Sequence, residues 1–261
     1  MSTSSVLASL VHDPPRTAVV ADFDGSLAPI VADPAAAVAL PGVLEVLEDL
    51  VGNVGTVAII SGRPVEFLAS RLPIGGLILV GNYGLERLVD GLGVLDPSAA
   101  PFLPAIAEAA DEAERAWPGL HVERKGGIAV TLHWRGDPDQ GEAAAAWAEA
   151  TGVRLGLKVV LGRMARELRP NVPTDKGTVL EGLLRDHDAA LFAGDDHGDL
   201  AAFDALDRLA AVCALRAAVR VGVASSEGPA EICSRADVVV DGPAGLSALL
   251  SELVAALRER D

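Results

Sequence analysis

Asp22-Phe23-Asp24-Gly25-Ser26-Leu27 follows directly on the apolar run Thr17-Ala18-Val19-Val20-Ala21. A short apolar run that stops abruptly at two carboxylates reads as a buried strand feeding a polar loop. The same pattern recurs along the chain. Residues 56–60 run into Ser61-Gly62-Arg63, residues 77–80 into Gly81-Asn82-Tyr83-Gly84, and residues 190–193 into Gly194-Asp195-Asp196. Between these runs, residues 41–51 place Val43, Leu44, Leu47, Leu50 and Val51 at spacings of three and four, with Pro41 suited to the first turn of a helix. Residues 64–72, 176–185, 200–206 and 243–258 read as further helices, and 220–224 and 237–240 as short strands. Strands alternating with helices predict an α/β fold, a Rossmann-like parallel sheet with helices on both faces. Asp90-Gly91 inside 88–95 signals a hairpin.

The texture changes after Pro97, Pro101 and Pro104. Residues 102–117 and 139–151 are alanine-rich helices. Residues 120–124 and 128–134 are strands about Lys125-Gly126-Gly127, and 157–161 and 165–168 are strands about Gly162-Arg163. The order helix–strand–strand–helix–strand–strand predicts a small α+β unit over 102–168, inserted between core segments 1–101 and 169–261.

Composition narrows the function. The 261 residues include 21 Lys+Arg and 37 Asp+Glu, a formal net charge of −16, and half are hydrophobic. Such a chain is not a disordered polyampholyte. Its acidic balance argues against nucleic acid or an anionic membrane as partner, since both require a basic footprint. The longest stretch free of charged residues, 72–85, is 14 residues long and broken by Pro73, Gly75, Gly76 and Gly81, too short to span a bilayer. The N-terminus carries no basic segment followed by an apolar run, so no secretory leader and a cytoplasmic location are expected. Cys213 and Cys233 form no Cys-x-x-Cys pair and read as two reduced core thiols. A monomer or small homo-oligomer is expected.

In open α/β sheets the ligand lies beyond the carboxyl ends of the strands. The residues collected there are Asp22 and Asp24, Ser61 and Arg63, Asn82 and Tyr83, and Asp195, Asp196 and Asp199. Asp22 and Asp24 alone could be an ordinary turn. Joined by the carboxylates at 195–199 they form a crowd that repels strongly unless a divalent cation sits within it, and hard oxygen ligands suit Mg²⁺. Carboxylates held protonated without a metal are the alternative. Ser61 could cap a helix or bind an anion at its N-terminus, and these roles are compatible.

Asp22-x-Asp24-Gly25-Ser26-Leu27, Ser61, Lys176 and Gly194-Asp195-Asp196-x-x-Asp199 match, in order, the four motifs of the haloacid dehalogenase-like (HAD) phosphatases. The resemblance implies Asp22 as nucleophile, Asp24 as general acid and base, and Ser61 and Lys176 on the transferring phosphoryl group. It implies Mg²⁺ on Asp22, the Asp24 carbonyl and Asp195, with Asp199 in the outer shell. From about residue 15 to 245 the chain resembles the trehalose-6-phosphate phosphatase family more closely. The carriers are Asp22 through Ile30, Ser61-Gly62-Arg63, Gly81-Asn82-Tyr83-Gly84-Leu85-Glu86, Val122-Glu123-Arg124-Lys125-Gly126 with His133-Trp134-Arg135, and Glu167-Leu168-Arg169-Pro170 with Asp175-Lys176-Gly177. The resemblance implies a Mg²⁺-dependent hydrolysis of a sugar phosphate. The insert would act as a specificity cap, with Arg63, Asn82, Tyr83, Glu123, Lys125 and Glu167 on the substrate. The chain departs from the family pattern at Tyr83 (usually His), at Asn171-Val172-Pro173, and at His197, Gly198 and Leu200. Three other readings stay open: another sugar or polyol phosphate as substrate, a sugar-phosphate mutase, and a non-catalytic regulatory protein of the same fold.

Overall fold

The computed structural model describes residues 3–31, 33–162, 164–225 and 228–260. Its strands, in chain order, are β1 (Thr17–Ala21), β2 (Thr56–Ile60), β3 (Ile78–Gly81), β4 (Glu86–Val89), β5 (Leu92–Leu95), β6 (His121–Lys125), β7 (Ala129–His133), β8 (Lys158–Gly162), β9 (Ala165–Arg169), β10 (Ala189–Gly194), β11 (Ala217–Ala224) and β12 (Val238–Asp241). The α-helices are α1 (Thr3–Leu10), α2 (Val43–Asn53), α3 (Val65–Arg71), α4 (Leu103–Ala116), α5 (Gly141–Leu155), α6 (Lys176–Leu183), α7 (Leu200–Ala211), α8 (Ala230–Arg235) and α9 (Gly242–Arg258).

The chain divides into two compact units, Met1–Gly93 with Thr174–Asp261, and Val94–Pro173. The sequence places the insert at 102–168; the smaller unit also takes in residues 94–101 and 169–173.

An eight-stranded sheet runs in the order β12-β11-β10-β1-β2-β3-β4-β5, and all of it but the last two residues of β5 belongs to the larger unit. Its pairs from β12 to β3 are parallel, and β4 returns antiparallel beside β3. Strand alternation sends side chains to two cores. Val19, Ala21, Val57, Ile59 and Leu191 meet α1, α2 and α9 through Val6, Leu10, Leu47, Leu50, Leu250 and Leu253. Ala18, Val20, Ala58, Ile60 and Phe192 meet α6, α7 and α8 through Leu180, Phe203, Leu206 and Ile232. Both faces being covered explains why these strands read as unbroken apolar runs. The hairpin falls where expected: Asp90 (φ 51°) and Gly91 (φ 78°) are both left-handed, as a two-residue turn of this kind requires.

The structure corrects three local expectations. Helix α2 starts at Val43 behind Gly42, whose φ of 87° breaks the helix there, so Pro41 lies outside it. Helices α1 and α8, only eight and six residues long, carried too few turns to announce themselves. Neither cysteine is a core thiol: Cys213 is exposed and Cys233 half-buried, both free. Arg163, in the expected β8–β9 turn, lies outside the described residues. Among the described residues no helix is long and apolar enough to cross a membrane.

The smaller unit is a four-stranded antiparallel sheet, β6-β7-β9-β8. Val130, Leu168 and Val159 face α4 and α5 through Ile106, Ala109, Ala110 and Ala148. The register sets Glu123 beside Thr131 and Thr131 beside Glu167, so this row lies on the face away from the helices.

Candidate active site

The site gathers at the carboxyl ends of neighbouring strands β10, β1, β2 and β3. Asp22 is held at the end of β1 by donating its N–H to the Ala193 carbonyl at 2.9 Å. The loop then doubles back, the Gly25 N–H meeting the Ala28 carbonyl at 2.7 Å. Gly25 has φ +81°, and a Cβ there would overlap the Asp195 carboxylate. Conformation and space both require glycine at this point.

Lys176 is the first residue of α6, presented by Asp175, which accepts from the Thr178 N–H at 2.8 Å while Thr178 Oγ1 accepts from the Asp175 N–H at 3.0 Å. Its ammonium, only 2% exposed, lies 2.8 Å from Asp22 Oδ1 and 2.6 Å from Asp199 Oδ1. The other Asp199 oxygen accepts the N–H groups of Asp195 and Asp196, each at 3.0 Å. Ser26 donates to Asp195 Oδ1 at 3.3 Å. Asp196 lies at the turn, accepting from the Gly198 N–H at 2.8 Å.

One buried ammonium therefore faces several buried carboxylates. Burial first, opposed by Lys176 and aided by Asp196 and Asp195, pushes Asp22 from its ordinary 3.8 to about 7. Burial, then the repulsion of Asp199 and Asp196, lifts Asp195 likewise to about 7. Burial opposes the charge on Lys176, but Asp199 and Asp22 outweigh it and hold it protonated. Carboxylate oxygens of Asp22, Asp195 and Asp199 all lie within 4.8 Å of one another. That spacing, that hardness and that uncompensated charge fit a divalent cation of the magnesium type.

Around this cluster, Ser61 is buried, and its Oγ accepts the Arg63 N–H at 3.2 Å. Arg63 was expected on the substrate; here its guanidinium grips Asp24, Nε to Oδ2 at 2.6 Å and Nη2 to Oδ1 at 2.7 Å. Asn82 and Tyr83 are both left-handed, with φ 48° and 56°. Asn82 is buried and donates its amide to Glu86 Oε2 at 3.0 Å, so it braces the loop. Tyr83 lays its ring against Gly62, where a Cβ would come within 2.6 Å of the ring. The sequence alone assigns Glu86 no role. Its carboxylate also accepts the Val65 N–H at 2.9 Å, tying the start of α3 to the Asn82 turn. A lone Glu after a glycine turn carries no sequence signal for that task.

In the smaller unit, Glu167 Oε2 accepts from Lys125 Nζ at 2.5 Å and from Thr131 at 3.3 Å. Glu123 pairs with His133 Nε2 at 3.0 Å. These polar groups share one face of the small sheet.

A parallel sheet with this carboxylate–lysine cluster at its carboxyl edge places the chain in the HAD-like class of fold. A haloacid dehalogenase-like hydrolase from Bacteroides thetaiotaomicron superposes with a TM-score of 0.65 over 91% of this chain and 99% of that one, at 15% identity. The C-terminal domain of Candida albicans trehalose-6-phosphate phosphatase reaches a TM-score of 0.80 over 98% of both chains, at 23% identity. Residues 20–236 match the trehalose-phosphatase family, and the chain belongs to it. The trehalose-phosphate phosphatase of Mycobacterium marinum (strain ATCC BAA-535 / M) is 37% identical over 204 residues, which are 74% of this chain and 52% of that protein. The chain thus spans about half the length of the curated relatives it matches.

Proposed function

We propose that this chain is a Mg²⁺-dependent phosphatase that hydrolyses trehalose 6-phosphate to trehalose and inorganic phosphate. The observation that carries the reading is the buried Asp22–Lys176–Asp199–Asp195 cluster at the ends of β1 and β10. Family membership and the name of the mycobacterial relative support the substrate.

Asp22 attacks phosphorus, the bond to the sugar oxygen breaks, and a proton from the Asp24 carboxyl goes to the departing alkoxide. Ser61 and Lys176 receive the phosphoryl oxygens, where fixed donors stabilise developing charge. Water then attacks the phosphorus of the aspartyl-phosphate, Asp24 takes its proton, and phosphate leaves with the Asp22 carboxylate restored. A divalent cation would be held by Asp22, Asp195 and the Asp24 carbonyl, with Asp199 behind them in the outer shell, and would supply charge screening between an anionic nucleophile and an anionic substrate. Glu123, Lys125 and Glu167 match the sugar hydroxyls from residues 102–168, which serve as the specificity unit. Tyr83 lies on the substrate side of the reacting group. The partner is a small sugar phosphate, with no nucleic acid, and the chain works in the cytoplasm as a monomer or small homo-oligomer. Its free cysteines and acidic composition are compatible with that location.

A second reading keeps the chemistry and changes the sugar. It is favoured by Tyr83, whose ring occupies the space over Gly62. Phosphate release from trehalose 6-phosphate, glucose 6-phosphate and a panel of sugar phosphates separates the two. The expected result is a preference for trehalose 6-phosphate that EDTA abolishes and Asp22→Asn removes. Preference for another sugar would move the function to the second reading, and no release from any substrate would refute both.

A further inference from the structure

Asp24 and Arg63 stand beyond the ends of paired strands β1 and β2 and meet in a two-pronged contact of 2.6 and 2.7 Å. Such a fork fixes both the plane and the direction of a carboxylate. The arginine is itself braced. Its guanidinium carbon lies 4.7 Å from the centroid of Phe67. Phe67 meets Phe23 edge-on at 6.0 Å, and Phe23 is fully buried between Asp22 and Asp24 in sequence. The Arg63 carbonyl accepts the Asn82 N–H at 2.9 Å, and its own N–H is bonded to Ser61. Among the described residues the cation-sized group of carboxylates comprises Asp22, Asp195 and Asp199, and Asp24 stands outside it.

We propose that Arg63 is a positioning residue: its fork fixes the plane and direction of the Asp24 carboxylate and holds it off the cation cluster. The inference rests on the phosphatase reading above. Two negative groups, Asp22 and Asp24, leave the same loop only two residues apart. Without a fixed partner the second would be drawn to the same cation as the first and lost as a proton carrier. The Phe23–Phe67–Arg63 stack ties the backbone between the two carboxylates to the side chain that separates them. The sheet places a cation where the motif-bearing loop supplies none.

The test uses the full chain with Mg²⁺, comparing Arg63→Met, Arg63→Lys, Asp24→Asn and the Arg63→Met/Asp24→Asn pair. Methionine keeps an apolar stem against Phe67 and removes the fork. p-Nitrophenyl phosphate needs no proton on its leaving group, so its nitrophenolate burst reports transfer to Asp22 alone. Sugar phosphate needs that proton in the first step. Arg63→Met is expected to lower kcat on the sugar phosphate by on the order of 10²-fold, to leave KM within about threefold, and to keep the burst while slowing the steady state after it. Lysine restores only a small part, because the planar fork is the required feature. The double variant is no slower than Asp24→Asn alone. A raised KM with a slowed burst on both substrates would overturn the proposal in favour of direct phosphate contact, as would a double variant whose loss is the product of the single losses. A parent that hydrolyses nothing would refute the phosphatase reading instead. Crystal structures of parent and Arg63→Met then decide the positioning claim: an Asp24 side chain that leaves its parent rotamer supports it, and an unchanged rotamer overturns it.

Discussion

Asp195→Asn is predicted to make the cation-free protein more stable at pH 8 and to abolish its response to Mg²⁺. In the folded chain Asp195 rises from 3.8 to about 7 through burial and the repulsion of Asp199 and Asp196. A carboxyl raised on folding contributes stability that is whole below its unfolded value and lost as pH climbs through the folded one. The window runs from about pH 4 to about pH 8, and at 1.36 kcal/mol per tenfold the loss at its upper end is about 4 kcal/mol. Asparagine has no charge to bury, and its carbonyl can still accept from Ser26. Relief is smaller than the full figure because Asp22 and Asp199 remain, so the expected gain at pH 8 is about 2 kcal/mol, or roughly 4–8 °C in melting temperature. At about pH 3, below the window, the two proteins should melt together. Added Mg²⁺ at pH 8 should reverse the ranking, raising the parent and leaving the variant still. Scanning calorimetry across pH, with EDTA or Mg²⁺, reads all of this. A variant less stable than the parent at pH 8 in EDTA, or a difference independent of pH, would refute the electrostatic account.

Lys176→Met leaves Asp22 and Asp199 without their shared ammonium. It should cost about 3–5 kcal/mol in the absence of cation and lower kcat at least about 100-fold, read by chemical denaturation and phosphate release. Gly25→Ala strains a φ of +81° and drives a methyl into the Asp195 carboxylate. A loss of about 1–3 kcal/mol with Mg²⁺ binding weakened at least about tenfold is expected, measured by melting and titration calorimetry. Asp237 accepts from the Arg220 Nε and backbone N–H, both at 2.9 Å. Burial raises its pKa, but Arg220 more than offsets this and the value falls below the ordinary 3.8. Its contribution is therefore present above that value and lost as pH falls. Asp237→Asn should cost about 1–2 kcal/mol near neutrality and flatten the loss of stability below pH 4, as urea midpoints across pH would show.

Much of this architecture was legible because the physics involved is local. A fully buried strand must be continuously apolar, so Thr17–Ala21 and Thr56–Ile60 stood out, and Asp90-Gly91 could only be a tight turn. Asp22, Asp195 and Asp199 were found by their placement after strands, and Lys176 by the resemblance of its motif, and the structure brings them together. What the sequence hid is what depends on partners far away along the chain. Arg63 and Asp24 are 39 residues apart, and nothing in either segment announces that the arginine turns to the carboxylate. Asn82 has the chemistry of a sugar ligand, yet its amide is committed to Glu86, because the left-handed turn there leaves a buried polar group to satisfy. The cysteines misled because small apolar neighbours suit a frayed helix end as well as a core. Cys213 follows the last turn of α7 with φ 55° and faces solvent.

The central claim is that Asp22 carries the phosphoryl group. It is tested most directly by mixing the Mg²⁺-loaded protein with trehalose 6-phosphate, quenching in acid within the first turnover, and mapping the peptides by mass. The account predicts a phosphoryl adduct on Asp22 that is absent with EDTA, and that accumulates in Asp24→Asn when p-nitrophenyl phosphate, whose leaving group needs no proton, replaces the sugar phosphate. Phosphate released with Asp22 unmodified at every time point, or an adduct on another residue, would contradict it.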